Sequence, residues 1–178
     1  MDSQAIIDTL NRDVKDKTLL IRLYNLQNGV DVWIDGLCWR NYDFDLVDYF
    51  KEEFGIEIDK PLTFDVLKSD DEFLNEMCFD KGRFRQGVYD DVNSLIDSYS
   101  EGAIREGISY GVPADKFEEA YKGEWSTFVD YATSIFNELE RPELPERYRD
   151  WIDYEKYAES LEQQYYFANG HVFDATFK

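Results

Sequence analysis

Apolar positions along the chain change period several times, and each change marks an element. Ile6, Ile7 and Leu10 share one side of residues 1–17, which read as a short amphipathic helix or a loose extension. Thr18 to Leu26 reads as a strand, Asn28-Gly29 as a hairpin turn, and Val30 to Gly36 as the return strand. In that return strand Val30, Val32 and Ile34 alternate with Asp31, Trp33 and Asp35. Glycine takes the positive φ of a type I′ turn freely, and asparagine takes it better than most residues. Leu46, Val47, Phe50 and Phe54 recur at helical spacing, so a helix is expected over Asp43 to Phe54 with Gly55 as its stop. Pro61 to Leu67 reads as a third strand.

The second half of the chain is mostly helical in pattern. Asp70-Asp71 is placed to cap a helix running through Phe73, Leu74 and Met77. Val88, Val92, Leu95 and Ile96 share one face of Val88 to Ser98. Gly102, Gly107, Gly111 and Pro113 then punctuate a short helical segment, which makes residues 99–114 a candidate boundary region. A short helix over Asp115 to Tyr121 is expected to end at Gly123, and a longer one runs from Trp125 to Leu139. Pro142 and Pro145 break the chain before a helix with Tyr154, Tyr157, Ala158 and Leu161 on one stripe. Gln164 to Ala168, Asn169-Gly170 and His171 to Thr176 spell a second hairpin. The pattern predicts an α+β chain of three small modules, 18–68, 69–113 and 114–178, behind an N-terminal extension of residues 1–17.

Composition adds one dominant fact. The chain has 178 residues with 39 Asp and Glu against 19 Lys and Arg, a net charge of -20, yet 17% of it is aromatic. An acidic disordered tail lacks the apolar surface needed to fold, and this chain does not. The charge is spread: residues 18–68 carry 10 acids and 5 bases, residues 69–113 carry 10 and 4, and residues 114–178 carry 15 and 7. No apolar run is long enough to span a bilayer. Met1-Asp2-Ser3-Gln4 lacks the basic and apolar regions of a secretory signal. Cys38 and Cys78 are too few for a disulfide framework and read as reduced thiols, so a cytoplasmic setting is expected.

Catalytic chemistry is hard to find. His171 is the single histidine, which reads as a satisfied structural residue before a catalyst. There is no hydrolytic triad, no zinc-ligand set and no phosphate-binding glycine loop, so no metal and no cofactor are expected. Asp43-Phe44-Asp45 resembles the start of a calcium loop whose glycine and closing glutamate are missing. A carboxylate pair for an acidic enzyme cannot be picked out by spacing and stays an alternative.

The acids themselves offer a function. Any single acidic run reads first as a solvated face. A net charge of about 2 to 8 units is enough for solubility, and excess charge costs stability through self-repulsion. Carboxylates three or four apart on a helix are about 5–6 Å apart at Cβ, and alternate strand residues about 6.6–6.8 Å, close to the spacing of neighbouring phosphates. Glu146, Asp150 and Asp153 follow helical steps, as do Glu155, Glu159 and Glu162, while Asp31 and Asp35 punctuate the first hairpin. The candidate phosphate-like acids are these together with Asp43, Asp45, Asp48, Glu118 and Glu119. At one charge per ~1.7 Å of duplex, the net charge corresponds to ~34 Å, about one turn of B-DNA.

The stretch Phe117-Glu118-Glu119-Ala120-Tyr121-Lys122-Gly123-Glu124, with Phe128, Tyr131, Pro145, Ile152 to Leu161 and Gly170-His171-Val172-Phe173, resembles the ArdA family of antirestriction proteins. The opening hairpin from Tyr24 to Asp35 looks like that family's first strands, and the resemblance is weakest between Asp59 and Gly111. It implies an elongated homodimer that imitates bent B-DNA and fills the DNA-binding groove of type I restriction–modification enzymes, with its origin on a plasmid, transposon or phage. The family's antirestriction motif maps onto Arg147 to Leu161. Two features depart from the family pattern: residues 1–17, and the basic patch Lys81, Arg83 and Arg85, which is expected to be tied up in intramolecular ion pairs or else to weaken the mimicry. An inhibitor of another defence nuclease or of a nucleoid protein would share the same surface chemistry.

Overall fold

The first apolar stripe of the chain forms a helix that closes one side of a sheet. A computed structural model describes residues 3–24, 29–58 and 61–178. Helix α1 (Ser3–Asp13) buries Ile6 and Leu10, and Val14 just beyond it, so this segment is helical and packed. Strands β1 (Leu19–Leu23) and β2 (Val30–Ile34) pair antiparallel, with Leu19, Ile21, Leu23, Val32 and Ile34 on the buried face. Leu26 and Asn28, where the expected strand end and turn fall, lie outside the described residues; Gly29 has a φ of 68°. A short helix absent from the sequence pattern, α2 (Gly36–Arg40), follows and is capped by Asp35. Its Trp39 is 1% exposed and meets the rings of Phe44 and Phe64 at 5.0 and 5.5 Å, a packing role.

Helix α3 (Leu46–Phe54) starts later than expected because Asp43 and Phe44 have φ values of 50° and 60°, outside the helical region. Gly55 stops it in the left-handed conformation, as the pattern required. Strand β3 (Phe64–Ser69) pairs with the other edge of β1, giving the order β2-β1-β3. Asp71 caps α4 (Glu72–Cys78), which buries Phe73, Leu74 and Met77. A small hairpin then appears where none was expected: β4 (Phe79–Asp80) and β5 (Arg83–Phe84), turned by Lys81 and Gly82 at φ 50° and 77°. Lys-Gly lacks the Asn or Asp that usually announces such a turn. Helix α5 (Gln86–Leu95) follows.

The chain divides into two compact units, Met1–Asn93 and Ser94–Lys178. The division falls within the stretch 69–113 that the sequence pattern assigns to a middle module.

In the second unit, α6 (Glu101–Tyr110) is capped by Ser100 and ended by Gly111. Its other glycines are close approaches and do not act as punctuation. A Cβ on Gly107 would stand 2.3 Å from the Phe117 ring and 2.9 Å from Phe173, and one on Gly102 would stand 2.7 Å from His171 Nε2. Helix α7 (Phe117–Ala120) is one turn long and ends before Gly123, which lies inside β6 (Tyr121–Glu124) at φ 99°. The expected Trp125–Leu139 helix is shorter: α8 (Phe128–Ile135) is capped by Thr127 and runs into a π-helical turn over Phe136–Glu140. Trp125 instead ties the sheet, its backbone N–H donating to Gly170 O at 2.7 Å.

Helix α9 (Tyr154–Leu161) packs through Ala158 and Leu161 on Ala132 of α8. Strands β7 (Tyr165–Ala168) and β8 (His171–Asp174) form the expected hairpin, with Asn169 and Gly170 at φ 48° and 88°. The sheet order is β6-β8-β7. The fold class is α+β, with small antiparallel sheets and helices on their faces.

Gly107 yields a test of sign. In an open helix interior, Gly→Ala stabilises by about 1 kcal/mol. Here the added methyl meets Phe117 and Phe173, so Gly107→Ala is expected to destabilise by about 1–3 kcal/mol in urea unfolding. A more stable variant would contradict this packing.

Candidate acidic docking surface

The candidate acids divide into those that build the fold and those that do not. Asp35, Asp45 and Asp153 are helix caps. Asp35 accepts from Cys38 N–H at 3.0 Å, Asp45 from Val47 and Asp48 N–H at 2.7 and 3.2 Å, and Asp153 from Lys156 N–H at 3.1 Å. Each satisfies backbone donors that a helix N-terminus otherwise leaves open. Asp31 is held by both arms of Arg22, with distances of 2.6 and 2.8 Å. In register, Arg22 sits between Asp31 on β2 and Asp65 on β3. Glu119 accepts from Lys116 Nζ at 2.9 Å.

Two of these groups titrate differently from an ordinary carboxyl. The Arg22 hydrogen bond holds the Asp31 carboxyl below the usual carboxylate range. The Lys156 backbone N–H, then its side chain, does the same for Asp153.

The remaining candidates, Asp43, Asp48, Glu118, Glu146, Asp150, Glu155, Glu159 and Glu162, are exposed. Their carboxylates make no hydrogen bond or ion pair among the described residues. On α9 the spacing is clear. Glu155, Glu159 and Glu162 follow steps of four and three, so they line one stripe, which borders the buried face of Ala158 and Leu161. Glu162 keeps helical dihedrals as the C-cap, so the row does not break there.

The other expected row is interrupted. Glu146–Trp151 is a 3-10 helix and Ile152 is extended. At three residues per turn, Glu146 and Asp150 do not stack on each other, and Asp153 starts a separate helix. Asp31 and Asp35 do not form a strand row either, because β2 ends at Ile34. Sequence spacing alone missed Asp70, Glu72, Asp97, Glu101, Glu138 and Glu143, which are also exposed without a hydrogen bond or ion pair among the described residues. All but Glu138, which sits inside the π-helical turn, lie at or just beyond element ends, where no regular period flags them.

Other chemistry is muted. His171 is 5% exposed, with its Nδ1 3.0 Å from Tyr121 Oη. Burial, then Glu53, pushes the Cys38 thiol up to about 11, and burial pushes Cys78 up to about 12, so neither is an activated thiolate. Among the described residues no cluster of His, Cys, Asp and Glu could hold a metal ion, and no helix is long and apolar enough to cross a membrane. Of the basic patch, Arg85 donates to Met77 O. Lys81, Arg83 and Arg85 form no ion pair with a carboxylate among the described residues, so the expected intramolecular neutralisation is not present there.

Residues 69–174, more than half of the chain, match the family model of the antirestriction protein ArdA. The chain belongs to the ArdA family of antirestriction proteins. The match includes the stretch from residue 69 to Gly111, where the residue-level resemblance is weakest. It contains Glu118, Glu119, Glu146, Asp150, Asp153, Glu155, Glu159 and Glu162, and it leaves Asp31, Asp35, Asp43, Asp45 and Asp48 outside. The segment Arg147 to Leu161, assigned to the antirestriction motif by resemblance, lies inside it and comprises a 3-10 turn, a capping aspartate and α9. Neither a curated protein nor a solved structure matches the chain.

The two groups of acids separate in a stability experiment. Asp45→Ala removes the cap of α3 and is expected to cost about 1 kcal/mol in urea unfolding. Glu159→Gln is expected to stay within about 0.5 kcal/mol of the parent. Equal losses would place Glu159 in the structure and not on a free surface.

Proposed function

We propose that this ArdA-family protein inhibits type I restriction–modification enzymes by presenting side-chain carboxylates where DNA phosphates would lie. Lysine and arginine side chains in the enzyme's groove pair with Asp and Glu in place of phosphate oxygens. The observation that carries the proposal is the row Glu155, Glu159 and Glu162. It is exposed, it makes no hydrogen bond or ion pair among the described residues, and it lies inside the family-matched segment. A carboxylate neutralised within its own chain has less to offer a partner, so Asp31 is a weaker contributor than these three.

In this proposal the protein acts as a homodimer in the cytoplasm of a bacterial host, with no cofactor, and its gene travels on a plasmid, transposon or phage. It binds neither nucleic acid nor membrane, since its surface carries the same sign of charge as both. Association is steered by long-range attraction, so it is fast and weakens with salt. The binding energy is spread over many weak contacts and not centred on one residue. An enzyme working through a carboxylate pair would behave in the opposite way.

Charge neutralisation distinguishes these cases. Each of Glu155→Gln, Glu159→Gln and Glu162→Gln alone is expected to weaken binding to a type I restriction–modification enzyme by about 0.5 kcal/mol, roughly twofold. The triple variant is expected to lose about tenfold while its unfolding transition is unchanged. Affinity measured by titration calorimetry at two salt concentrations checks both values. Complete loss of function from one substitution, or none from three, contradicts the proposal.

A further inference from the structure

The chain has four tryptophans, and the fold engages three of them. Trp39 is buried against Phe44 and Phe64. Trp125 donates its indole N–H to Lys122 O at 2.9 Å and meets the Tyr131 ring, and the Lys68 ammonium lies 5.7 Å over Trp33. Trp151 is different. It is 84% exposed, and its ring makes no hydrogen bond or ring contact among the described residues. A lone exposed leucine would need no account. A tryptophan almost wholly in water does, in a chain whose other large rings are packed.

The 3-10 turn gives that ring a direction. Side chains three apart eclipse each other on such a helix, so Tyr148 and Trp151 share one side of Glu146–Trp151. Arg149, on another row, is tied down by its Nε donating to Leu144 O at 3.1 Å. The period that separates Glu146 from Asp150 therefore aligns the two rings. The Arg147 guanidinium stands 4.7 Å over Tyr148 and covers it, while Trp151 is left open. Carboxylates lie on both sides of Trp151 along the chain: Asp150 before it, then Asp153 and the α9 row after it. An aromatic centre inside a charged rim is the anatomy of the side chains that anchor interfaces, among which tryptophan is enriched.

We propose that Trp151 takes the place of a DNA base, as the carboxylates around it take the place of phosphates. In the complex its indole stacks in a flat site of the enzyme's groove, walled by aromatic or aliphatic side chains and rimmed by Lys and Arg. Charge selects this occupant: the flanking carboxylates repel an anionic surface and favour a basic one. Chemistry selects the pocket. Indole and purine are both fused five- and six-membered rings, and stacking on a π-face does not depend on a particular hydrogen-bonding edge. Enzymes that modify a base extrude it from the duplex and hold it between aromatic or apolar side chains. The inference rests on the proposed function and adds one contact that salt does not screen to a surface of many charges.

Titration of a type I restriction–modification enzyme with Trp151→Ala, Trp151→Phe and Trp151→Leu at two salt concentrations tests it. Trp151→Ala is expected to bind about tenfold more weakly at both, because burial of a ring is not screened; binding is reduced and not abolished. Trp151→Phe should keep most of the affinity and Trp151→Leu should not, since only a ring stacks. Equal binding by the parent and Trp151→Ala overturns the anchor and leaves the proposed function standing. So does a loss that disappears at high salt, or equal affinities of the Phe and Leu variants. A parent chain that does not bind the enzyme overturns both. A second measurement uses the unaltered sequence, with 5-hydroxytryptophan incorporated for tryptophan and excited apart from the enzyme's own tryptophans. Acrylamide is expected to quench the free chain chiefly through Trp151, and the complex should lose most of that quenching. Quenching that is the same free and bound overturns the proposal, even where a variant unfolds.

Discussion

Twenty net negative charges push outward on this chain, and aromatic packing in two small cores is what holds against them. In the first unit Trp39, Phe44 and Phe64 meet edge to face, and Tyr49 packs on Phe50 and Phe54. In the second unit Phe117, Tyr121 and Phe173 form a mutually contacting group, joined by Tyr99. Burying one large apolar side chain contributes about 1.5–3 kcal/mol, and a ring pair adds about 0.5–1.5 kcal/mol. A surface ion pair contributes about 0–1 kcal/mol. The contrast explains the composition: the aromatic residues stabilise the fold, which leaves many carboxylates of the described residues without a structural task.

That division decides which acids are available to a partner. Helix caps need Asp35, Asp45 and Asp153 wherever they are, and Arg22 already occupies Asp31. The α9 glutamates are exposed along the border of the helix's packing face and make no hydrogen bond or ion pair among the described residues, so neutralising them removes charge without removing a bond. Lys81 and Arg83, which form no ion pair among the described residues, sit on a hairpin tip in the first unit, and this positive charge is the part of the surface least like a phosphate track.

Much of this was legible in the sequence, for physical reasons. Alternation in Val30 to Ile34, the helical stripe ending at Gly55, the Asp71 cap and the Asn169-Gly170 turn all follow from local geometry, and the structure has them. What failed depended on tertiary contact. Gly102 and Gly107 read as breaks, yet they are where α6 comes close to His171, Phe117 and Phe173. Gly123 read as a helix stop and lies in a strand. The 3-10 turn at Glu146–Trp151 kept the period of the acids looking helical while changing their directions. Free and engaged acids could not be told apart, because Arg22 reaches Asp31 only once β1 and β2 have paired.

The claim that carboxylates replace phosphates is tested most directly by displacement. The chain is titrated into a preformed complex of a type I restriction–modification enzyme with fluorescent duplex DNA, and the bound DNA is followed by anisotropy while the mass of each complex is recorded. The account predicts stoichiometric release of DNA, with the enzyme carrying either the duplex or this protein. A stable ternary complex, with DNA still bound beside the protein, would contradict it.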